Sequence, residues 1–182
     1  MKLIKTDIEG VVIIEPKLWE DERGYFFESF QSERFKELTG LDIAFVQDNE
    51  SRSREGVVRG LHFQLPPYAQ SKLVRVIRGE ILDVAVDIRR SSPTFGRSVA
   101  VRLSEDNHRQ LFIPRGFAHG FVVLRGDAIV QYKTDNYYNP ESEGSILWSD
   151  PQLNIDWGID APIVSAKDAS APRLAECDRL FE

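Results

Sequence analysis

Apolar and polar residues alternate with period two along several stretches of this chain, the period of β-strands whose side chains point to opposite faces in turn. In Ile81–Ile88, Leu82, Val84, Val86 and Ile88 share one face, with Asp83 and Asp87 on the other. Val99, Val101 and Leu103 alternate with Ser98, Ala100 and Arg102. Further on, Ala128, Val130, Tyr132 and Thr134 fall together while Gln131 and Lys133 point the other way. Each pattern reads as a strand buried on one side. Val11–Glu15 and Tyr25–Phe30 add β-branched or aromatic runs, separated by the polar stretch Glu20–Gly24. Ser32–Leu38 predicts one helix, stopped by Gly40. From about Pro151 onward the pattern loses its regularity and predicts short helices packed outside the strands.

Short strands broken by Gly and Pro predict an all-β sandwich or jelly roll. No repeat, low-complexity tract or linker interrupts the 182 residues, so residues 1–182 read as a single domain. No apolar run approaches the ~20 residues of a membrane-spanning helix, and Met1–Gly10 lacks the apolar core of a signal peptide. Cys177 is the only cysteine, which excludes an internal disulfide and suits a reducing cytoplasm. A net charge of -6 counts against nucleic acid as a partner, because phosphate-backbone binding calls for a basic face. A small phosphorylated ligand would instead require cations gathered locally, and Arg23, Arg59 and Lys72 are the positions to follow.

Three histidines are available. His108 sits in the polar run Glu105–Arg109 and predicts a solvated surface position. His62, in Arg59–Gln64, and His119, in Pro114–Phe121, lie among apolar and small residues. One such histidine is ordinarily a hydrogen-bonded core residue. Two in separate Gly-flanked strands point to a shared pocket.

Gly60-Leu61-His62, followed by Lys72 and Gly79 and then by Pro114-x-Gly116-x-x-His119, resembles the two-part cupin signature. Cupins of the usual kind hold a metal through three histidines and a glutamate. Here Gln64 stands where the second histidine would be, and two histidines without a partner carboxylate fall short of the three or four ligands that a competent site needs. The chain therefore reads as a metal-free cupin. The finer resemblance is to the dTDP-4-dehydrorhamnose 3,5-epimerase family. It is carried by Asp21–Glu28, Gln47-Asp48-Asn49-x-Ser51, Val58–Gln64, Gln70-x-Lys72-Leu73-Val74, Ile113–Phe121, Tyr132-x-Thr134, Tyr137–Pro140 and Ser165–Asp168, in that order. Two departures stand out: Trp19 where phenylalanine is usual, and Gly158 where proline usually follows the tryptophan.

The resemblance implies a cupin-type jelly-roll β-barrel and a reaction on dTDP-4-dehydro-6-deoxy-D-glucose that inverts C3 and C5. Both carbons lie α to the C4 ketone, so the chemistry needs a base, an acid and a positive group near the oxygen, with no redox cofactor. By the resemblance His62 is the base, Asp168 its orienting partner, Tyr132 the acid, and Lys72 the group that steadies the enolate. Strand alternation independently turns Tyr132 inward. Substrate binding falls by the resemblance to Arg23, Glu28, Gln47, Asn49, Arg59, Lys72, His119, Glu143 and Lys167, with Tyr138 packing on the nucleotide. Strict alternation puts Arg59 and His62 on opposite faces. Either the strand bulges at Gly60, or Arg59 serves another part of the site. The family also implies a homodimer in which an N-terminal strand joins the neighbour's sheet. A monoepimerase on a related dTDP-sugar, a metal-dependent cupin and a non-catalytic sugar-binding cupin are the rival readings.

Overall fold

The computed structural model describes Met1–Glu182 as twelve β-strands and two short α-helices. Two long antiparallel strands are the spine: β7 (Lys72–Asp87) and β10 (Phe117–Thr134), in register from Thr134 opposite Lys72 to Phe117 opposite Asp87. Their register breaks around Gly79 and Arg125–Ile129, where the pair bends from one wall of the barrel into the other. A side chain at Gly79 would bring its Cβ within 2.8 Å of the Asp127 carbonyl, so the bend closes only on glycine.

On one wall, the Lys72 end of β7 pairs with β9 (Gln110–Ile113), which leads through β2 (Val12–Glu15) to β1 (Lys2–Lys5). The matching end of β10 pairs with β5 (Gln47–Ser53). On the other wall, the Asp87 end of β7 pairs with β8 (Ser98–Ser104), and β10 pairs with β6 (Val57–Gln64). Beyond β6 lie β11 (Glu143–Ser145), antiparallel, and β12 (Ile163–Val164), parallel. This all-β jelly-roll barrel is the architecture that the strand pattern predicts.

Two large apolar clusters and a smaller one around Phe35 organise the molecule. One fills the barrel with Val74, Val76, Ile81, Ala85, Phe121, Val123, Ala128 and Val130 among others, and Tyr132 packs against its edge. The second lies on the outer side of the second wall, where Val84, Val86, Ile88, Ala118 and Val122 are covered by Leu153, Trp157, Leu174, Cys177 and Leu180. The irregular C-terminal stretch is thus a lid over a sheet face. One expectation is corrected on the opposite, barrel-facing side of β7. Strand β7 is buried on both sides, and Asp83 and Asp87 are fully buried where the alternation placed them on an open face.

The expected helix is present as α1 (Ser32–Thr39), capped by Gln31 and ended by Gly40 in the left-handed region. Its Phe35 packs edge-on to Phe45 and Phe112. The run Tyr25–Phe30 does not continue as a strand. Only β4 (Gly24–Phe26) forms, paired with β3 (Trp19–Asp21) in a hairpin that no third strand joins. Beyond it Phe27 stacks on Arg75 and His108, and Phe30 joins the α1 cluster, so side-chain packing overrides the extended run. His108, expected in solvent, is half-buried with its ring centroid 4.6 Å from that of Tyr25.

Candidate active site

Strands β6 and β10 bring the histidines together. His62 lies directly opposite His119, yet Arg59 lies opposite Phe121, so three steps along β6 match two along β10. The extra residue is a bulge at Gly60, where φ is +118° and an added Cβ would sit 2.5 Å from the Gly120 Cα. With one residue absorbed, Arg59 and His62 share the inward face. The bulged alternative is the one the fold adopts.

Each histidine leans on an aspartate. His62 Nε2 is 2.6 Å from Asp168 Oδ1, and His119 Nε2 is 2.7 Å from Asp83 Oδ1. A carboxylate at Nε2 selects the tautomer with its proton there, leaving Nδ1 as the free lone pair. For His119 that lone pair faces Lys72, whose Nζ is 3.5 Å away. For His62, with about a third of its side chain (32%) exposed, it is open to a ligand. Asp168 arrives from α2 (Ala166–Ala169), capped by Ser165, so the Ser165–Asp168 run brings its carboxylate to β6 from 106 residues away. Asp83 was absent from the sequence-based set. Its signal was there: an aspartate inside an apolar strand that turns out to be buried on both faces.

Tyr132 and Lys72 complete the centre. The Lys72 ammonium is 5.8 Å from the Tyr132 ring centroid, and the His119 ring stands edge-on to Tyr132 at 6.5 Å. The electrostatics separate the roles these groups can take. Burial pushes the His62 imidazole below its ordinary 6.5, against the raising pull of Asp168, while Lys72 and Lys167 lower it further. His62 is therefore neutral, and able to accept a proton, at pH 7. Burial raises the Tyr132 phenol above 10.0, with Arg59 opposing, so its proton stays in place for donation. Burial also lowers Lys72 to about 8, with Asp83 and Glu143 resisting. Lys72 remains cationic at pH 7 and is able to face a developing oxyanion.

The other expected residues fall into two groups. Asn49 is the cross-strand partner of Tyr132, and Gln47 that of Thr134. Gln47 donates to Asn49 and accepts from the Tyr138 amide. Arg59, an exposed residue, donates to Ser53 Oγ at 2.9 Å and to the Arg52 carbonyl at 3.4 Å. At the rim, Glu143 accepts from Lys167 Nζ at 2.7 Å and from the Tyr138 hydroxyl at 3.3 Å. All of these lie on, or bond to, the strands that carry or pair with those of His62, His119 and Tyr132. Arg23 and Glu28 do not. Arg23 sits on the exposed hairpin paired with Asp21, and Glu28 pairs with Arg34 on α1.

Gln64 has a structural task that accounts for its place in the signature. Its amide donates to the carbonyls of Tyr68 and Tyr137 and its oxygen accepts from the Asn139 amide, so it ties the rim loop to β6. No three histidine, cysteine, aspartate or glutamate side chains gather as a metal-binding group, and both inward histidines commit Nε2 to a carboxylate.

Comparison with known proteins agrees with this arrangement. A model of the dTDP-4-dehydrorhamnose 3,5-epimerase family matches residues 5–176. The curated dTDP-4-dehydrorhamnose 3,5-epimerase of Salmonella typhimurium is 57% identical over 175 residues, which is 96% of each chain. That of Shigella flexneri is 54% identical over 178 residues, 98% of each. Among solved structures, a dTDP-6-deoxy-D-glucose-3,5-epimerase of Legionella pneumophila, in complex with dTDP-4-keto-L-rhamnose, superposes with a TM-score of 0.94. It is 54% identical, covering 97% of this chain and 94% of that one. With the barrel, the bulge and the paired histidines in view, the chain belongs to the dTDP-4-dehydrorhamnose 3,5-epimerase family.

Proposed function

We propose that this protein is an isomerase that converts dTDP-4-dehydro-6-deoxy-D-glucose to dTDP-4-dehydro-L-rhamnose by inverting C3 and C5. The observation that carries the reading is the 2.6 Å His62–Asp168 pair, neutral at its free nitrogen, beside a protonated Tyr132 and the Lys72 cation. His62 Nδ1 takes a proton from the carbon α to the C4 ketone, and the electron pair moves onto the C4 oxygen. Lys72 steadies that oxygen, held by the His119–Asp83 pair behind it. Tyr132 returns a proton to the opposite face, which inverts the centre. No redox step occurs, so no redox cofactor is called for.

Binding of the dTDP portion is assigned to Gln47, Asn49, Arg59, Glu143 and Lys167, with Tyr138 stacking on the base. Arg59 suits a diphosphate because its planar fork donates paired bonds. Arg23 and Glu28 join from a second copy in a homodimer. Two observations support this. Strand β5 pairs with β10 alone, leaving an open edge next to Gln47 and Asn49. The β3–β4 hairpin exposes Trp19, Tyr25 and Phe26, an apolar surface suited to a neighbour. A cytoplasmic setting belongs to the same reading; no helix is long and apolar enough to cross a membrane.

The test is incubation with dTDP-4-dehydro-6-deoxyglucose in heavy water, following the C3 and C5 protons by NMR. Exchange at both carbons is expected. Exchange at one alone would make the protein a monoepimerase, and exchange at neither would leave a sugar-binding cupin. For the dimer, mixing inactive His62→Ala and Arg23→Ala proteins should restore activity through heterodimers with one intact site. No recovery on mixing would place Arg23 outside the partner's site.

A further inference from the structure

Four aspartates are buried, and three of them face an arginine or an imidazole: Asp83 meets His119, Asp87 meets Arg89 and Asp168 meets His62. Asp150, 3% exposed, has no such partner. Its carboxylate is held by two backbone amides: Gln152 N–H donates to Oδ1 at 2.8 Å and Leu174 N–H to Oδ2 at 2.6 Å. Burying a carboxylate without a counter-charge is costly. The bond to Gln152 closes a local turn, which an uncharged asparagine or serine would do as well. The bond to Leu174 is different, because it spans 24 residues and fastens the C-terminal segment.

That segment carries Asp168. Ahead of Asp168, β12 lies beside β6 at Val57 and Val58. Behind it, the Pro172 carbonyl accepts from the Leu147 amide at 2.8 Å, and Leu174 reaches Asp150. Leu147 and Asp150 follow directly on β11, whose Ser145 is the cross-strand partner of His62. The turn that presents Asp168 is thus staked at both ends to the strands that carry and flank His62. Helix α2 has only four residues, too few to hold its shape unaided.

We propose that Asp150 is a positioning residue for the catalytic base, clamping the C-terminal segment so that Asp168 stays within hydrogen-bond distance of His62. It bonds to neither of them. The inference rests on the epimerase reading above and deepens it. Without the clamp the Asp168 turn moves outward, and misplacement of about 1 Å at such a dyad costs on the order of 10²-fold in rate. Of the charged groups that act on His62, Asp168 alone raises its pKa, while Lys72 and Lys167 lower it along with burial. Withdrawal of Asp168 therefore leaves His62 a weaker base that titrates at lower pH.

The experiment compares intact wild-type protein with Asp150→Ala and Asp150→Asn, measuring kcat, KM, C3 and C5 proton exchange, and the pH profile of kcat/KM. Asp150→Ala should lower kcat by tenfold or more with KM nearly unchanged, and should move the acid limb to lower pH. In an Asp168→Asn background the same substitution should add little, because its effect passes through Asp168. An equal loss in both backgrounds would overturn the inference. So would a loss of activity that matches the unfolded fraction while the acid limb stays in place. Should Asp150→Ala not fold, Asp150→Asn, which keeps the shape and one acceptor, is read by the same measures. Wild-type protein that exchanges neither proton would overturn the epimerase reading itself, a failure visible before any variant is made.

Discussion

The two histidine–aspartate pairs have nearly the same length and opposite surroundings. His119–Asp83 is made inside one pair of strands, with the aspartate fully buried and the histidine side chain 7% exposed. His62–Asp168 joins β6 to the C-terminal segment and keeps its imidazole open. Asp83 Oδ2 has no hydrogen-bond partner at all, so this carboxylate relies on the imidazole and on the Lys72 charge nearby. The comparison teaches that a His–Asp pair does not define a catalytic base. Which imidazole nitrogen stays free, and what it faces, decides the role. His119 turns its free nitrogen to Lys72. The free nitrogen of His62, on a partly exposed side chain, has no partner within the chain, which is why the proposed base is His62.

His62→Ala removes the proposed base and should suppress exchange at C3 and C5 by about 10²–10⁴-fold, with little change in Tm. Measurable exchange at the wild-type rate would end the distinction between the pairs. Asp83→Ala breaks the buried pair and should cost about 3–5 kcal/mol, read as a Tm lowered by roughly 10 °C in a domain of this size. If Asp83→Ala left Tm unchanged, the inner pair would not be the structural one.

Tyr132→Phe should impair epimerisation more than initial proton removal, so that exchange without inversion accumulates; equal loss of both would contradict Tyr132 as the acid. The pH profile sharpens the contrast further. Activity should rise as His62 loses its proton at a pH below 6.5 and fall as Lys72 loses its own near about 8. Lys72→Arg, which stays charged, should erase the alkaline limb while leaving the acid limb in place. The smallest effect belongs to the rim. Lys167→Ala removes an exposed pair with Glu143 worth less than about 1 kcal/mol of stability, and should raise KM a few-fold at unchanged Tm.

Much of this was legible in the chain itself. Period-two alternation located β7, β8 and β10 and turned Tyr132 inward, because in a strand the side chain's face follows from its position alone. Gly40 stopped α1 and Gly60 marked the bulge, since each occupies a backbone region that disfavours a side chain. Spacing and composition could not pair Asp168 with His62, because 106 residues separate them and only the family resemblance linked the two.

What the sequence determined by itself is therefore local: strand faces, the helix stop, the glycine that allows a bulge, and the residue types able to move a proton. Tertiary structure decided the rest. It laid the C-terminal segment over the Val84, Val86 and Ile88 face of β7, and it buried Asp83 and Asp87 on the opposite, barrel-facing side. It brought Arg59 onto the face of His62, and it left Arg23 and Glu28 outside the cleft of their own chain. The reason is physical. Alternation reports which side a residue faces, whereas burial and proton affinity depend on what covers that side. For Asp83 that cover includes His119 on the neighbouring strand, and for the outer face of β7 it is the C-terminal segment.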